Sequence, residues 1–263
     1  MQIIAENIQV TDPLVAKALE EMDPLPIQGL ARRCEDAGAD RLDINPGPLT
    51  RNGEEKMAFL VEAVQEVCDL PLSLDTSNPS AMAAGLQVCR KKPILNGFSM
   101  EPAKLQNILP LAAAFPCDIT GFLLHPNGNV PANAEERLTL AVELFQALLE
   151  NGIDPQRLLI DPVLVPLMWE DGTRHAMELL NVIRMLPELL GFPVRTVVGL
   201  SNLTSGRAPK EKKRLLEAAY LPMLASTGLD VVMMNIFHEE TLSVARACGV
   251  ITRQGTFSWE EAG

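Results

Sequence analysis

Val197-Val198-Gly199-Leu200-Ser201-Asn202-Leu203-Thr204 has the character of a short apolar strand that stops at a glycine and then presents a hydroxyl and an amide. An asparagine that directly follows a buried strand must be hydrogen-bonded either to the protein or to a ligand. A turn in which Asn202 bonds its own backbone would also satisfy the amide. We expect a ligand, because the same arrangement recurs where the other predicted strands end.

With this stretch, eight short apolar runs alternate with amphipathic segments of helical period. The predicted strands are residues 2–8, 41–45, 71–74, 93–96, 119–124, 158–160, 197–199 and 231–234. The predicted helices begin at Pro13, Glu54, Pro79, Pro102, Ala134, about Thr173, Glu211 and Glu239, the last ending at Ala247. Eight βα units in a chain of this length predict a (β/α)8 TIM barrel of the pterin-binding, dihydropteroate synthase-like kind. A doubly wound sheet competes, but its glycine-rich first turn is missing.

The composition predicts one globular domain over residues 1–263, because no linker-like or highly charged segment divides the chain. A net charge of −12 argues against a nucleic-acid or anionic-membrane partner, since both require a basic face. The five cysteines are widely spaced without a C-x-x-C pair, as expected for reduced, mostly buried thiols in a cytoplasmic protein. We expect neither a signal peptide nor a membrane span, because Pro, Asp or Gly interrupts every long apolar run.

Hydrogen-bonding side chains lie at the carboxyl ends of the predicted strands, where a barrel places its chemistry. In chain order they are Glu6 and Asn7, Asp43 and Asn45, Asp75, Asn96, His125 and Asn127, Asp161, Asn202 and Asn235. Each alone is also explained as a helix cap or turn residue. Asp75, Asn96 and Asp161 carry more weight, because each directly ends an apolar run.

Several kinds of chemistry lack their residues at these strand ends. No lysine is there to form a Schiff base, and the last two loops lack a glycine-rich phosphate cradle, although Ser201 and Thr204 leave a weak anion site open. His125 and His238 have no paired carboxylate in sequence, so we expect no metal site. Carboxylates and amides instead suit a planar heterocycle with a donor-rich edge, such as a 2-amino-4-oxo-pyrimidine.

The chain resembles the methyltetrahydrofolate:corrinoid protein methyltransferases, which include the corrinoid/iron-sulfur protein methyltransferase and the folate module of cobalamin-dependent methionine synthase. Five segments carry the resemblance, in the family's order and close to its spacing: residues 42–48, 74–78, 94–96, 160–162 with Pro166, and 199–202. Together they cover nearly the whole barrel. The chain departs from the family at Asn7, where an arginine is usual, and at Gly97-Phe98, where the usual pair is Ser-Thr.

The resemblance implies a role for each matched residue. Asp75, Asn96 and Asp161 would bind the pterin edge, and Asn202 would reach N5 as the catalytic amide. Gly199 and Ser201 would add backbone and hydroxyl contacts, while Asp43 and Asn45 would line the same mouth. The family's mobile arginine after this asparagine has two candidate counterparts here, Arg207 and Arg214.

The implied reaction is methyl transfer, in either direction, between N5 of methyltetrahydrofolate and the cobalt of a corrinoid protein. A partner protein would supply the corrinoid, because the chain has no Asp-x-His-x-x-Gly motif. Relatives of this type form homodimers, so we expect one here. Two alternatives stay open: a dihydropteroate synthase-like pterin enzyme, and a folate-binding protein without catalysis.

Overall fold

The computed structural model describes residues 1–253, so residues 254–263 of the predicted single domain lie outside the described part. Eight parallel strands close into a barrel in sequential order, which confirms the predicted (β/α)8 fold. The strands are β1 (Gln2–Gln9), β2 (Arg41–Asn45), β3 (Leu72–Asp75), β4 (Ile94–Phe98), β5 (Asp118–Phe122), β6 (Leu158–Asp161), β7 (Arg195–Gly199) and β8 (Val231–Met234). β1 pairs with both β2 and β8, which closes the ring.

The helices within residues 1–253 surround the barrel. They are α1 (Pro13–Glu21), α2 (Pro24–Asp36), α3 (Gly53–Gln65), α4 (Pro79–Val88), α5 (Pro102–Asn107), α6 (Leu109–Ala114), α7 (Ala134–Glu150), α8 (Gly172–Leu190), α9 (Lys210–Ala225) and α10 (Glu239–Thr252). Local capping fixes several starts. The Asn133 side chain accepts a hydrogen bond from the backbone N–H of Glu136, three residues on, and so caps the start of α7. Asn78 caps α4 in the same way.

Three sequence predictions were wrong in detail. Asp23-Pro24 starts a separate helix, α2, by repeating the cap-and-proline signal of Asp12-Pro13. The last helix was predicted to end at Ala247, but it continues to Thr252, and its buried face extends to Cys248. β4 also runs on to Phe98, past its predicted end.

Two layers of apolar side chains stabilise the barrel. The larger layer packs the outer faces of the strands against the helices, and burying each such side chain contributes roughly 1.5–3 kcal/mol. The smaller layer fills the barrel interior and consists of Ile4, Ile94, Leu159, Val197 and Val231. The interior is therefore packed, and the space for chemistry lies above it, at the carboxyl ends of the strands.

Ion pairs close the opposite, amino-terminal end of the barrel. The carboxylate of Asp118, at the start of β5, lies 2.5 Å from the Lys92 ammonium and 3.0 Å from the Arg195 guanidinium. The Arg41 guanidinium donates to the Lys92 carbonyl oxygen at 3.4 Å. Charge at this end is thus paired, and we assign these residues to the stability of the barrel rather than to its chemistry.

The cysteines are free thiols, and four of them are buried, as expected: Cys34, Cys68, Cys117 and Cys248. Within residues 1–253, no helix combines the length and the apolar character that crossing a membrane requires.

Candidate functional site

The ends of β2, β3 and β4 bring four of the predicted site residues together. The side-chain amide N–H of Asn45 donates to Oδ2 of Asp75 at 2.7 Å. The side-chain oxygen of Asn45, Oδ1, accepts from the Gly47 N–H at 3.1 Å. Asp75 is in register with Asn96 on the next strand, so their side chains lie on adjoining strands at the same level. Oδ1 of Asp75 has no hydrogen-bond partner in the described chain, so one carboxylate oxygen stays available.

Burial disfavours charge on the two carboxyl groups of this cluster. It raises the pKa of Asp75 to about 6, against the opposing effect of the nearby Lys104 ammonium. Burial, with the Asp75 carboxylate next in size, raises the pKa of Asp43 well above its usual value. Oδ1 of Asp43 is buried without a hydrogen-bond partner among residues 1–253. Asp43 therefore holds its proton to a higher pH than an exposed aspartate does.

Asp161 ends β6 in a separate polar cluster. Its Oδ1 accepts from the backbone N–H of Val163 at 2.8 Å, and burial raises its pKa to about 7 despite this bond and the Arg137 charge. Arg137 is fully buried and donates to the Pro131 carbonyl at 3.0 Å and to Nδ1 of His175 at 2.9 Å. Its Nη1 has no hydrogen-bond partner in the described part of the chain. The cluster thus presents a carboxylate backed by a buried cation.

The turn after β7, residues Leu200–Thr204, is one turn of 3-10 helix, and we name it the Asn202 turn. Asn202 is exposed, so the premise that it is buried and must be bonded was wrong: the turn lifts the side chain out of the strand's environment. Its side chain makes no hydrogen bond within residues 1–253. A Cβ on Gly199 would lie 3.2 Å from Nδ2 of Asn202, so glycine leaves the space into which this amide folds back. The Ser201 hydroxyl, predicted to contact a ligand, donates to the Glu6 carboxylate.

The remaining polar strand ends serve the protein itself. Asn7 donates to the side-chain oxygen of Asn235 at 2.8 Å and so links β1 to the loop after β8. His125 lies 3.1 Å from a carboxylate oxygen of Glu136, and His238 lies 3.6 Å from one of Glu217. The two histidines thus have separate acidic neighbours, and residues 1–253 contain no group of three or more potential metal ligands.

Three charged residues near the site were not among the predicted site residues: Lys104, Arg137 and Glu217. Each lies in the first half of a helix, where charged residues are common and carry no motif. Glu217 is nevertheless buried and accepts the Thr204 hydroxyl. Of the two arginines considered, Arg207 is exposed in the loop before α9, whereas the Nε of Arg214 is buried without a partner in the described chain.

The mouth therefore offers the carboxyl groups of Asp75 and Asp161, each with one oxygen hydrogen-bonded by the protein. It also offers two amides, Asn96 beside Asp75 and the exposed Asn202 on its turn. Such carboxylates accept N–H donors from one edge of a planar ligand, and amides read its remaining donors and acceptors. The arrangement suits recognition of a donor-rich heterocycle.

Sequence comparison finds relatives of this chain among known proteins. The chain is 25% identical to the methylcorrinoid:tetrahydrofolate methyltransferase of Eubacterium limosum, over 89% of this chain and 85% of that protein. It is 24% identical to the methionine synthase of Mycobacterium tuberculosis over 79% of this chain, but this match spans only 18% of that longer protein.

Solved structures of dihydropteroate synthases share the fold. The enzyme from Stenotrophomonas maltophilia with active site-bound imidazole has a TM-score of 0.73 and 19% identity, and covers 97% of this chain and 94% of its own. The Xanthomonas albilineans enzyme with 4-aminobenzoic acid has a TM-score of 0.71 and 21% identity, with the same coverage. At these identities the likeness concerns the fold alone.

The family model described as "pterin binding enzyme" matches residues 11–235, from the loop after β1 to the residue after β8. The resemblance stated from the sequence segments is thereby confirmed. The chain belongs to the pterin binding enzyme family.

Proposed function

We propose that this protein is a methyltransferase that moves a methyl group between N5 of tetrahydrofolate and the cobalt of a corrinoid protein. One observation carries the proposal: Asp75 and Asp161 end their strands, Asn96 lies in β4 in register with Asp75, and the β7 turn of the same barrel mouth presents the exposed, unbonded amide of Asn202. The names of the relatives from Eubacterium limosum and Mycobacterium tuberculosis support the same reaction class.

In this proposal the pterin ring binds through its polar edge. Oδ1 of Asp75 and the second oxygen of Asp161 accept ring and exocyclic N–H groups, while the Asn96 amide reads the remaining positions. Asn45 keeps the Asp75 carboxylate in one orientation, because it holds Oδ2. Each buried charge–ligand hydrogen bond stabilises the complex by roughly 1.5–3 kcal/mol.

The chemical step is a displacement at the methyl carbon. The C–N5 bond breaks and its electron pair stays on N5, which takes a proton. The Co–C bond forms with the electron pair of Co(I), which becomes Co(III), and the reverse reaction uses the same site. Because a tertiary amine is a poor leaving group, the charge that builds on N5 must be met in the transition state. An amide cannot supply a full proton at neutral pH, so Asn202 donates a hydrogen bond and the proton comes from water.

A partner protein brings the corrinoid in this account, because the sequence has no Asp-x-His-x-x-Gly motif of its own. The rim beside the Asn202 turn suits such docking: Trp169 is 56% exposed, and the loop that carries it is bonded to the turn through the Leu167 N–H and the Leu203 carbonyl at 2.9 Å. Trp169→Ala should raise the KM for a protein-bound corrinoid and leave the KM for free cobalamin unchanged. Equal effects on both would contradict this docking site.

We also propose that the chain forms a homodimer through α7 and α8. Large apolar side chains are exposed on these two helices, namely Val142, Leu149, Met177, Met185 and Leu189, and three of them, Val142, Met185 and Leu189, line one shared groove. Contiguous apolar surface of this kind marks protein interfaces. Met185→Glu should give monomers in sedimentation-velocity experiments, whereas Leu25→Glu, at an isolated exposed site on α2, should not. A wild-type monomer would exclude the dimer.

Two experiments separate this function from that of a dihydropteroate synthase. Calorimetric titration with methyltetrahydrofolate should show binding, and turnover of a pterin pyrophosphate with 4-aminobenzoic acid should be absent. Turnover of the pyrophosphate would instead establish a dihydropteroate synthase. A cytoplasmic place in one-carbon metabolism follows from the proposed reaction, and loss of the protein from the soluble cell fraction would contradict it.

A further inference from the structure

The Asn202 turn is fastened by a carboxylate on each side of Asn202. The Ser201 hydroxyl, one residue before, donates to Glu6 at the end of β1, and the Thr204 hydroxyl, two residues after, donates to Glu217 on α9. Glu217 is buried and Glu6 is half-buried. The two contacts come from different elements, one from strand β1 of the barrel and one from helix α9, so they hold the turn at two separate points.

Backbone and apolar contacts complete the fastening. The Leu203 carbonyl accepts from the Leu167 N–H at 2.9 Å, and the Leu200 and Leu203 side chains are buried. The Ser205 N–H donates to the Asn202 carbonyl at 3.2 Å. Every residue of the turn except Asn202 therefore has a side chain anchored in the protein, while the exposed Asn202 side chain folds back over Gly199 and makes no hydrogen bond in the described chain.

We propose that Glu6 and Glu217 are positioning residues for methyl transfer, which hold the Asn202 turn so that its amide meets N5. The proposal rests on the proposed function. Neither carboxylate needs to touch the substrate: each acts through one hydroxyl of the turn. A misplacement of a catalytic group by about 1 Å costs about 10²-fold in rate, so loss of an anchor should reduce the rate while the pterin edge is still held elsewhere.

The contact between Glu6 and Ser201 does not require Glu6 to be ionised. Burial raises the pKa of Glu6, and the Glu217 carboxylate adds to the rise, but the Glu6–Ser201 contact survives in either charge state because the carboxyl oxygen accepts in both. His238 lies beside Glu217, and burial lowers the pKa of this histidine. Asp43 is the other acid near Glu6.

The test compares Glu6→Ala, Ser201→Ala and Thr204→Val with a matched control. Thr196→Val makes the same change on β7 but at the opposite end of the barrel, where the Thr196 hydroxyl contacts Asp230 at 3.3 Å. We expect the three variants to lower the single-turnover rate of methyl transfer by about 10- to 100-fold, and to change the dissociation constant for methyltetrahydrofolate by less than about twofold. Thr196→Val should keep the wild-type rate.

Glu6→Gln separates positioning from proton transfer, since the amide oxygen still accepts from Ser201 but the group cannot release a proton. It should restore most of the rate lost in Glu6→Ala. No rescue, or a rate unchanged in all three variants, would overturn the proposal. So would a parallel loss of rate and affinity in Ser201→Ala and Thr204→Val, whose fold the small changes preserve.

Amide hydrogen exchange gives a readout that does not depend on activity. Exchange at residues 203–205 should accelerate in Glu6→Ala and Thr204→Val and stay unchanged in Thr196→Val. If the wild type transfers no methyl group while this exchange pattern appears, the proposed function fails and the anchoring is still demonstrated. If the wild type is active and exchange is the same in all variants, the anchoring role itself is refuted.

Discussion

The side-chain amide of Asn45 donates to Oδ2 of Asp75 at 2.7 Å and so joins the ends of β2 and β3. This contact sets which carboxylate oxygen faces a ligand, because it engages one and leaves the other open. It also explains why a carboxyl group with a pKa of about 6 stays in place without a cation bonded to it. The recognition of the pterin edge begins with this pair.

Replacing Asp75 with alanine should weaken binding of methyltetrahydrofolate by about 10- to 100-fold, since a charged hydrogen bond to the ligand is lost. The melting temperature should change by only a few degrees, because Asp75 makes just one side-chain bond to the protein, to Asn45. Calorimetric titration and thermal unfolding measure the two effects. A collapse of the melting temperature with affinity retained would make Asp75 a structural residue.

Asp161→Asn should stabilise the free protein at pH 8 while it weakens folate binding. Burial raises the pKa of Asp161 from 3.8 to about 7, so its contribution to stability is complete below pH 3.8 and is lost as the pH rises through 7. That loss is at most about 4 kcal/mol. An asparagine avoids this loss and still accepts from the Val163 N–H. We therefore expect the free energy of unfolding at pH 8 to rise by about 1–3 kcal/mol and the melting temperature to rise by several degrees.

The gain should shrink toward pH 5, where Asp161 is protonated and resembles the asparagine. Asp118→Asn is the matched control at the other end of the barrel, where removal of a paired carboxylate should lower stability by about 1–2 kcal/mol and leave folate affinity unchanged. If Asp161→Asn and Asp118→Asn changed the free energy of unfolding equally, Asp161 would not be a destabilising carboxylate and Asp118 a stabilising one, and the account would be refuted.

Folate binding should tighten with rising pH. The ligand N–H groups bind the ionised carboxylates, whereas burial keeps Asp161 protonated up to about pH 7 and Asp75 up to about pH 6 in the free protein. Affinity should therefore rise from pH 5.5 to about 7.5, by at most about tenfold per pH unit for each carboxyl group, and then level off. Titrations in buffers of different ionisation enthalpy should show proton release; affinity that falls across this range would contradict the binding mode.

Asn202→Ala should lower the rate of methyl transfer by about 10²–10³-fold, as expected for loss of one transition-state hydrogen-bond donor. The dissociation constant for methyltetrahydrofolate should stay near that of the wild type, because the pterin edge is bound elsewhere. Asn127→Ala is a suitable control, since this exposed asparagine lies in the loop after β5 and its side-chain oxygen accepts from the Asn129 N–H. An unchanged rate in Asn202→Ala would remove this residue from the mechanism.

The barrel could be predicted from the sequence because its signals are local. Apolar runs end in Asp or Asn, and caps such as Asn133 place the helices, so β2 and β8 were predicted with their observed bounds. The same local signals placed Asp75, Asn96 and Asp161 at strand ends. The parallel register of β3 and β4 then places Asp75 beside Asn96.

The contacts around the site could not be predicted, because they join residues far apart in the chain. Ser201 contacts Glu6 from across the closure of the barrel, and His175 meets Arg137 from a neighbouring helix. Nothing in the sequence near Glu217 distinguishes a buried anchor from a solvated helix face. The exposure of Asn202 depends on the 3-10 turn, which has no strong sequence signal of its own.

The most direct test of the central claim is anaerobic methyl transfer followed by cobalt absorbance. The purified protein is mixed with cob(I)alamin and methyltetrahydrofolate, and in a second reaction with methylcob(III)alamin and tetrahydrofolate. We predict loss of the Co(I) band in the first mixture or its appearance in the second, at a rate that Asn202→Ala reduces. Silence in both mixtures, together with no calorimetric binding of methyltetrahydrofolate, would contradict the account.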